Sequence, residues 1–151
     1  MYHFDGLAIE GELAVRLNQP IGELNDQKLE VSRVVQAVFP VIELHHFPFE
    51  NPPAAAEMIS RNAIHAGIVC DENTQYADKF PDQISIKIDG VEVACVSGAV
   101  NYETVSHSLR WLAMMLQKKG LKTRSNQIVL CGSVAPLFPL SQGGHLSLIH
   151  I

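Results

Sequence analysis

Glu10 and Glu12 stand two residues apart in the segment LAIEGELAVRL. Side chains alternate across an extended strand with a period of two, so both carboxylates leave one face and their heads can converge on a single cation. Glutamate is a poor strand former, and two on one face repel each other. The pair is therefore either a solvated strand face or a charge site that a cation relieves. Glu43 adds weight to the second reading. It lies inside VIELHHF, whose flanking apolar residues imply a half-buried strand where a bare carboxylate is costly. Three carboxylates with no cysteine beside them, and only the neighbouring His45 or His46 to add nitrogen, form a hard oxygen set. Such a set suits Mg2+ or Mn2+ better than Zn2+. His45, His46 and His65 are of the type that moves protons near neutral pH, or that simply packs or faces solvent.

These residues need elements to hold them. Leu7 to Leu17 alternates Ile9, Gly11, Leu13 and Val15 against Glu10, Glu12 and Ala14, which predicts a strand. Leu29 to Phe39 places Val31, Val34, Val35 and Val38 on a helical stripe that ends before Pro40, which predicts a short helix feeding a strand over VIELHHF. Pro53 followed by AAAEMISRNA predicts a second short helix with proline in its first turn, and AIHAGIVC a strand after it. Asp89-Gly90 between QISIKID and VEVACVS is a strong hairpin signal. From Thr104 to Lys119, Val105, Leu109, Leu112 and Leu116 share one helical face, lysines close the last turn, and Gly120 stands where a left-handed cap is wanted. Asn126 to Cys131 and His145 to Ile151 read as closing strands separated by the loop GSVAPLFPLSQGG, and Phe47 to Pro53 and Asp71 to Pro81 also read as loops. Six or seven strands with one long and two short helices do not alternate as βαβ units do. The fold class expected is therefore α+β and β-rich, a rolled or sandwiched mixed sheet in a single domain over residues 1–151.

Composition excludes several functions. A chain of 151 residues with 47% hydrophobic and 18% charged residues fits one domain with a real core. No run of apolar residues long enough to span a bilayer and no secretory leader stands out, so a soluble, cytoplasmic protein with no membrane partner is expected. A net charge of −5 with scattered lysines and arginines offers no footprint for nucleic acid. Cys70, Cys95 and Cys131 each follow an apolar stretch and none forms a CxxC pair, so all three read as buried, reduced core thiols.

Taken in order, IEGEL, VIEL, RNAIHAG, SIKIDGVEVACVSGA, HSLRWLAMMLQKKG and QIVLCGSVAPLFPL resemble the C-terminal domain of the fumarylacetoacetate hydrolase superfamily over nearly the whole chain. The branch most similar is that of the 2-keto-4-pentenoate hydratases and 4-oxalocrotonate decarboxylases. The resemblance implies that Glu10, Glu12 and Glu43 bind Mg2+ or Mn2+, and that Asn62 and the turn at Gly132 and Ser133 help to bind substrate. It also implies a lyase acting on a small 2-keto acid or 2-hydroxydienoate, with His45 or His65 placed to shuttle a proton. The cation would take the carboxylate and 2-oxo oxygen of such an acid, neutralising charge as a dienolate forms. A homo-oligomer, a dimer or larger, is expected on the same ground.

The sequence also departs from that pattern. Relatives carry a longer segment before the first metal motif, which supplies a lysine and an acidic residue to the site, and here nine residues precede Glu10. The family's D-N-A-S-S-G stretch stands as Arg61-Asn62-Ala63-Ile64-His65-Ala66-Gly67, keeping only Asn62, Ala63 and Gly67. The last strand, HLSLIHI, is expected to leave an open sheet edge. Two readings follow: a metal-dependent lyase or hydrolase of 2-keto acids, or a shortened noncatalytic relative serving as a binding or assembly subunit. An unrelated β-rich binding module would require the ordered motifs to be coincidence.

Overall fold

In the computed structural model, residues 6–22, 30–51, 53–70, 83–97, 102–133, 135–140 and 146–150 are described. Strand β1 (Leu7–Leu17) carries the first alternating segment, and β2 (Val35–His46) lies antiparallel beside it over its full length. The four-residue helix α1 (Val31–Val34) precedes β2. The helix expected over 29–39 is thus a single turn, and Val35 and Val38 belong to the strand. Valine stiffness favours the strand, and pairing with β1 satisfies a long ladder that a second helical turn would forfeit. Pro40 is tolerated within β2 because β3 (His65–Val69) reaches only Ile42 to His45, so among the described residues the proline has a ladder partner on the β1 side alone.

Helix α2 (Ala55–Ser60) starts after Ala54, which places Pro53 just ahead of its first turn rather than inside it. A tight turn at Asn62–Ile64 then leads into β3. Strands β4 (Gln83–Ile88) and β5 (Val91–Ser97) form the expected hairpin, with Asp89 at φ 52° and Gly90 at φ 79°, the double left-handed geometry of a type I′ turn. Helix α3 (Tyr102–Lys118) is the one long helix among the described residues, and Gly120 caps its end at φ 64°. Strands β6 (Ile128–Ser133), the two-residue β7 (Phe138–Pro139) and β8 (Leu146–His150) complete the chain. β7 lies within the segment expected to be loop. The loop expected over Asp71 to Pro81 falls outside the described residues.

The strands form two sheets, one in the order β3-β2-β1-β6 with β7 also paired to β1, the other β5-β4-β8. Leu13, Val15, Leu17 and Val38, on one face of the first sheet, bury against Ile84 of β4 and Val105, Leu109 and Ala113 of α3. Ile9 and Ile42 on that face meet Ile86. The expected β-rich α+β architecture is the one observed. Burying the apolar face of β1 leaves its other face, with Ala8, Glu10, Glu12 and Ala14, as the side that carries the charge. Among the described residues, β8 is an outer strand of the second sheet. None of the described helices is long and apolar enough to cross a membrane.

Candidate metal centre

Register does most of the positioning. Glu10 pairs directly with Glu43, Glu12 with Val41 and Ala8 with His45, so Glu10, Glu12, Glu43 and His45 project from one face. Directly opposed like charges are destabilising unless something between them compensates. Ligand atoms of Glu10, Glu43 and His45 lie within 4.8 Å of one another. His45 Nε2 stands 3.3 Å from Glu10 Oε2 and 3.5 Å from Glu43 Oε2, yet neither approach has hydrogen-bond alignment, and both ring nitrogens are buried without a hydrogen-bond partner among the described residues.

Two β-bulges flank this cluster. Between β2 and β3 the pairing passes from Leu44↔Gly67 to His45↔His65, so Ala66 is extra on β3. That one residue turns His65 to the glutamate face, where a regular strand would aim it away. His65 Nδ1 donates to Glu43 Oε1 at 2.5 Å. Between β1 and β6 the pairing passes from Ala14↔Leu130 to Glu12↔Ser133, which spends one extra residue on β6, and Gly132 takes φ 121° there. Only glycine adopts such a backbone readily. The bulge sets Ser133 beside Glu12 and lets the Gly132 N–H hydrogen-bond to it.

Glu12 feels the cluster most. Burial first, then the charges of Glu43 and Glu10, push its carboxyl up to about 8, against the opposing pull of the Gly132 N–H. It is 6% exposed and its Oε2 has no hydrogen-bond partner among the described residues. The ion pairs that Glu10 and Glu43 make among the described residues are with histidines, not with lysine or arginine. A buried face with excess negative charge and unpartnered Oε2 and Nε2 atoms has the chemistry of a cation site.

The sequence expectations divide. Glu10 and Glu43 meet directly, with Glu12 buried beside them. His45 and His65, expected as proton shuttles, both touch the carboxylates. Gly132 and Ser133 adjoin Glu12, and Ser133 Oγ donates to the Ala135 carbonyl. Asn62 is exposed on the turn before β3, at φ 53° followed by Ala63 at 52° and Ile64 at 61°, and no described contact ties it to the glutamates. His46 is exposed. The expectation of three buried thiols holds for Cys131 alone: Cys70 is half-buried, and Cys95 is exposed because β5 is an outer strand of its sheet. Burial and the Glu12 charge push the Cys131 thiol up to about 12, which leaves it unreactive.

No protein-family model and no curated protein sequence matches the chain. Solved structures do. A 4-oxalocrotonate decarboxylase from Pseudomonas putida G7, complexed with magnesium and adipate, superposes with a TM-score of 0.80 at 16% identity, over 96% of this chain and 57% of that one. A protein assigned to the fumarylacetoacetate hydrolase family, from Yersinia pestis CO92, gives 0.64 at 16% identity over 99% of this chain and 70% of its own. The chain has the fumarylacetoacetate hydrolase-type fold. A 5-carboxymethyl-2-hydroxymuconate delta-isomerase from Mycobacterium smegmatis shares that fold, with a TM-score of 0.68 at 10% identity over 97% of this chain and 55% of that one. The chain thus spans little more than half the length of the decarboxylase and the isomerase whose fumarylacetoacetate hydrolase-type fold it shares.

Proposed function

We propose that this protein is a divalent-metal-dependent enzyme of the fumarylacetoacetate hydrolase type, a lyase acting on a small 2-keto acid or 2-hydroxydienoate. The observation that carries the reading is the convergence of Glu10, Glu43 and His45 ligand atoms within 4.8 Å, with Glu12 buried beside them. The decarboxylase of the same fold is complexed with magnesium in one structure and with calcium in another, which supports a hard divalent cation. Glu10, Glu12 and Glu43 are the residues assigned to Mg2+ or Mn2+. When bound, the cation supplies a Lewis acid toward the carboxylate and 2-oxo oxygens of the acid. The protein's own groups bind and move protons: Glu43 Oε1 is held by His65 Nδ1, leaving Nε2 of that partly exposed ring for proton exchange. The Gly132 and Ser133 bulge borders the space beside Glu12 where substrate oxygens would lie. We place the protein in the cytoplasm as a homo-oligomer.

Two measurements test the proposal. Saturating Mg2+ or Mn2+ is expected to raise the melting temperature through binding to the folded state alone, and Glu43→Gln to abolish that shift. A shift that survives Glu43→Gln refutes the site. Metal-dependent loss of 2-hydroxydienoate absorbance is expected at high protein concentration. Metal binding without turnover of any 2-keto acid would favour a noncatalytic binding subunit instead, a reading that the exposed Asn62 and its replaced neighbours support.

A further inference from the structure

The three ligand atoms that converge are not all oxygens. Glu43 Oε1 is occupied by His65 Nδ1, which leaves Oε2 for the cluster, and there it meets Glu10 Oε2 and His45 Nε2. Metal–ligand distances of about 2.0 to 2.2 Å put neighbouring ligand atoms roughly 3.0 to 3.5 Å apart. The observed separations from His45 Nε2, 3.3 and 3.5 Å, fall in that range. The His45 side chain is 7% exposed, and its Nε2 points into the carboxylates without hydrogen-bond alignment. Strand parity explains its place: two residues beyond Glu43 in an unbroken stretch of β2, it emerges on the same face.

We propose that His45 Nε2 is a metal ligand alongside Glu10 Oε2 and Glu43 Oε2. This mixed nitrogen and oxygen set takes a borderline transition cation of the Mn2+ to Zn2+ series in preference to Mg2+. The inference rests on the metal-site reading above and refines which cation that site holds. Imidazole suits transition cations, whereas Mg2+ demands oxygen. The competing account makes His45 an imidazolium counter-ion that neutralises Glu10 and Glu43 and so excludes a metal. The two accounts predict opposite responses to removal of the ring.

The test titrates Co2+ and Mg2+ separately into the full 151-residue chain and its His45→Gln variant, by calorimetry and by the visible absorption of Co2+. The expected result is a Co2+ affinity lowered on the order of tenfold or more in the variant, with Mg2+ affinity changed by less than about threefold. Tighter binding of both cations by His45→Gln identifies a counter-ion and overturns the proposal, as does an equal or absent change for the two. Should the wild-type chain bind neither cation, the metal-dependent function falls as well, so the two failures are distinguishable. Because the variant could fail to fold, proton NMR of the Co2+-loaded wild type gives an independent readout. Hyperfine-shifted imidazole resonances are expected, and their absence overturns the assignment.

Discussion

Glu12→Gln, studied with chelator present, isolates the electrostatic cost of the cluster. Glu12 is raised from 4.5 to about 8, so between those values the folded state holds a proton that the unfolded chain has released. Stability therefore is fully present below pH 4.5 and is lost as pH rises toward about 8, beyond which the loss levels off. Each pH unit across that window costs about 1.4 kcal/mol, which gives roughly 4 kcal/mol by pH 7.5 as an upper bound. For a chain of this length that corresponds to a melting temperature lower on the order of 10 °C at pH 7.5 than at pH 4.5 from this group alone. Glutamine keeps the shape and removes the titration. Metal-free Glu12→Gln is expected to melt higher than wild type at pH 7.5, to approach it at pH 4.5, and to show a flatter profile between. Thermal unfolding by circular dichroism over pH 4.5 to 8.5 measures this. A variant less stable than wild type at pH 7.5, with the wild-type slope retained, would refute the claim that Glu12 is strained by its neighbours.

Three further predictions concern the scaffold. Gly22 sits at φ 110°, and an added Cβ would meet the Leu121 carbonyl oxygen at 2.6 Å, against a loop already tied by the Ile21 N–H to Thr123 Oγ1 bond. Gly22→Ala is expected to destabilise by about 2 kcal/mol or more in denaturant unfolding, and a neutral result would show that this junction is loose. Leu109 is fully buried where α3 meets β1 and β4, so Leu109→Ala should cost about 2 to 5 kcal/mol with the secondary structure retained. In the native state iodoacetamide should label Cys95 and spare Cys131, read by mass spectrometry. Rapid labelling of Cys131 would contradict its burial.

The parts of the fold that followed from periodicity were legible in advance: the alternation of β1, the Asp89-Gly90 turn, and the Val105 and Leu109 stripe of α3. The helix expected over Leu29 to Phe39 failed because valines at 31, 34, 35 and 38 satisfy a helical stripe while each remains a good strand residue. Long-range pairing of 35–46 with β1 then decided the outcome. Exposure of Cys95 was hidden for a related reason, since alternation cannot say which strand ends a sheet.

At the site the limit was parity. Glu10, Glu12, Glu43 and His45 lie on two strands whose mutual register is unbroken from Leu7 to Arg16, so counting by twos along each places them together once the apolar faces are aligned. The same count carries His45 as surely as Glu43, so parity alone picks it over His46 as the histidine that stands beside the glutamates. His65 and Ser133 lie beyond bulges, where each extra residue inverts the count. Gly132 is a weak local hint of one bulge, while Ala66 carries no such hint for the other. It follows that His65→Ala should free Glu43 Oε1 while leaving Glu10, Glu43 and His45 in register, since that register belongs to β1 and β2 alone. Such a variant should still bind cation through that set. If it loses metal as completely as Glu43→Gln does, the His65 contact is required for the site and the unbroken register of β1 and β2 is not sufficient to build it.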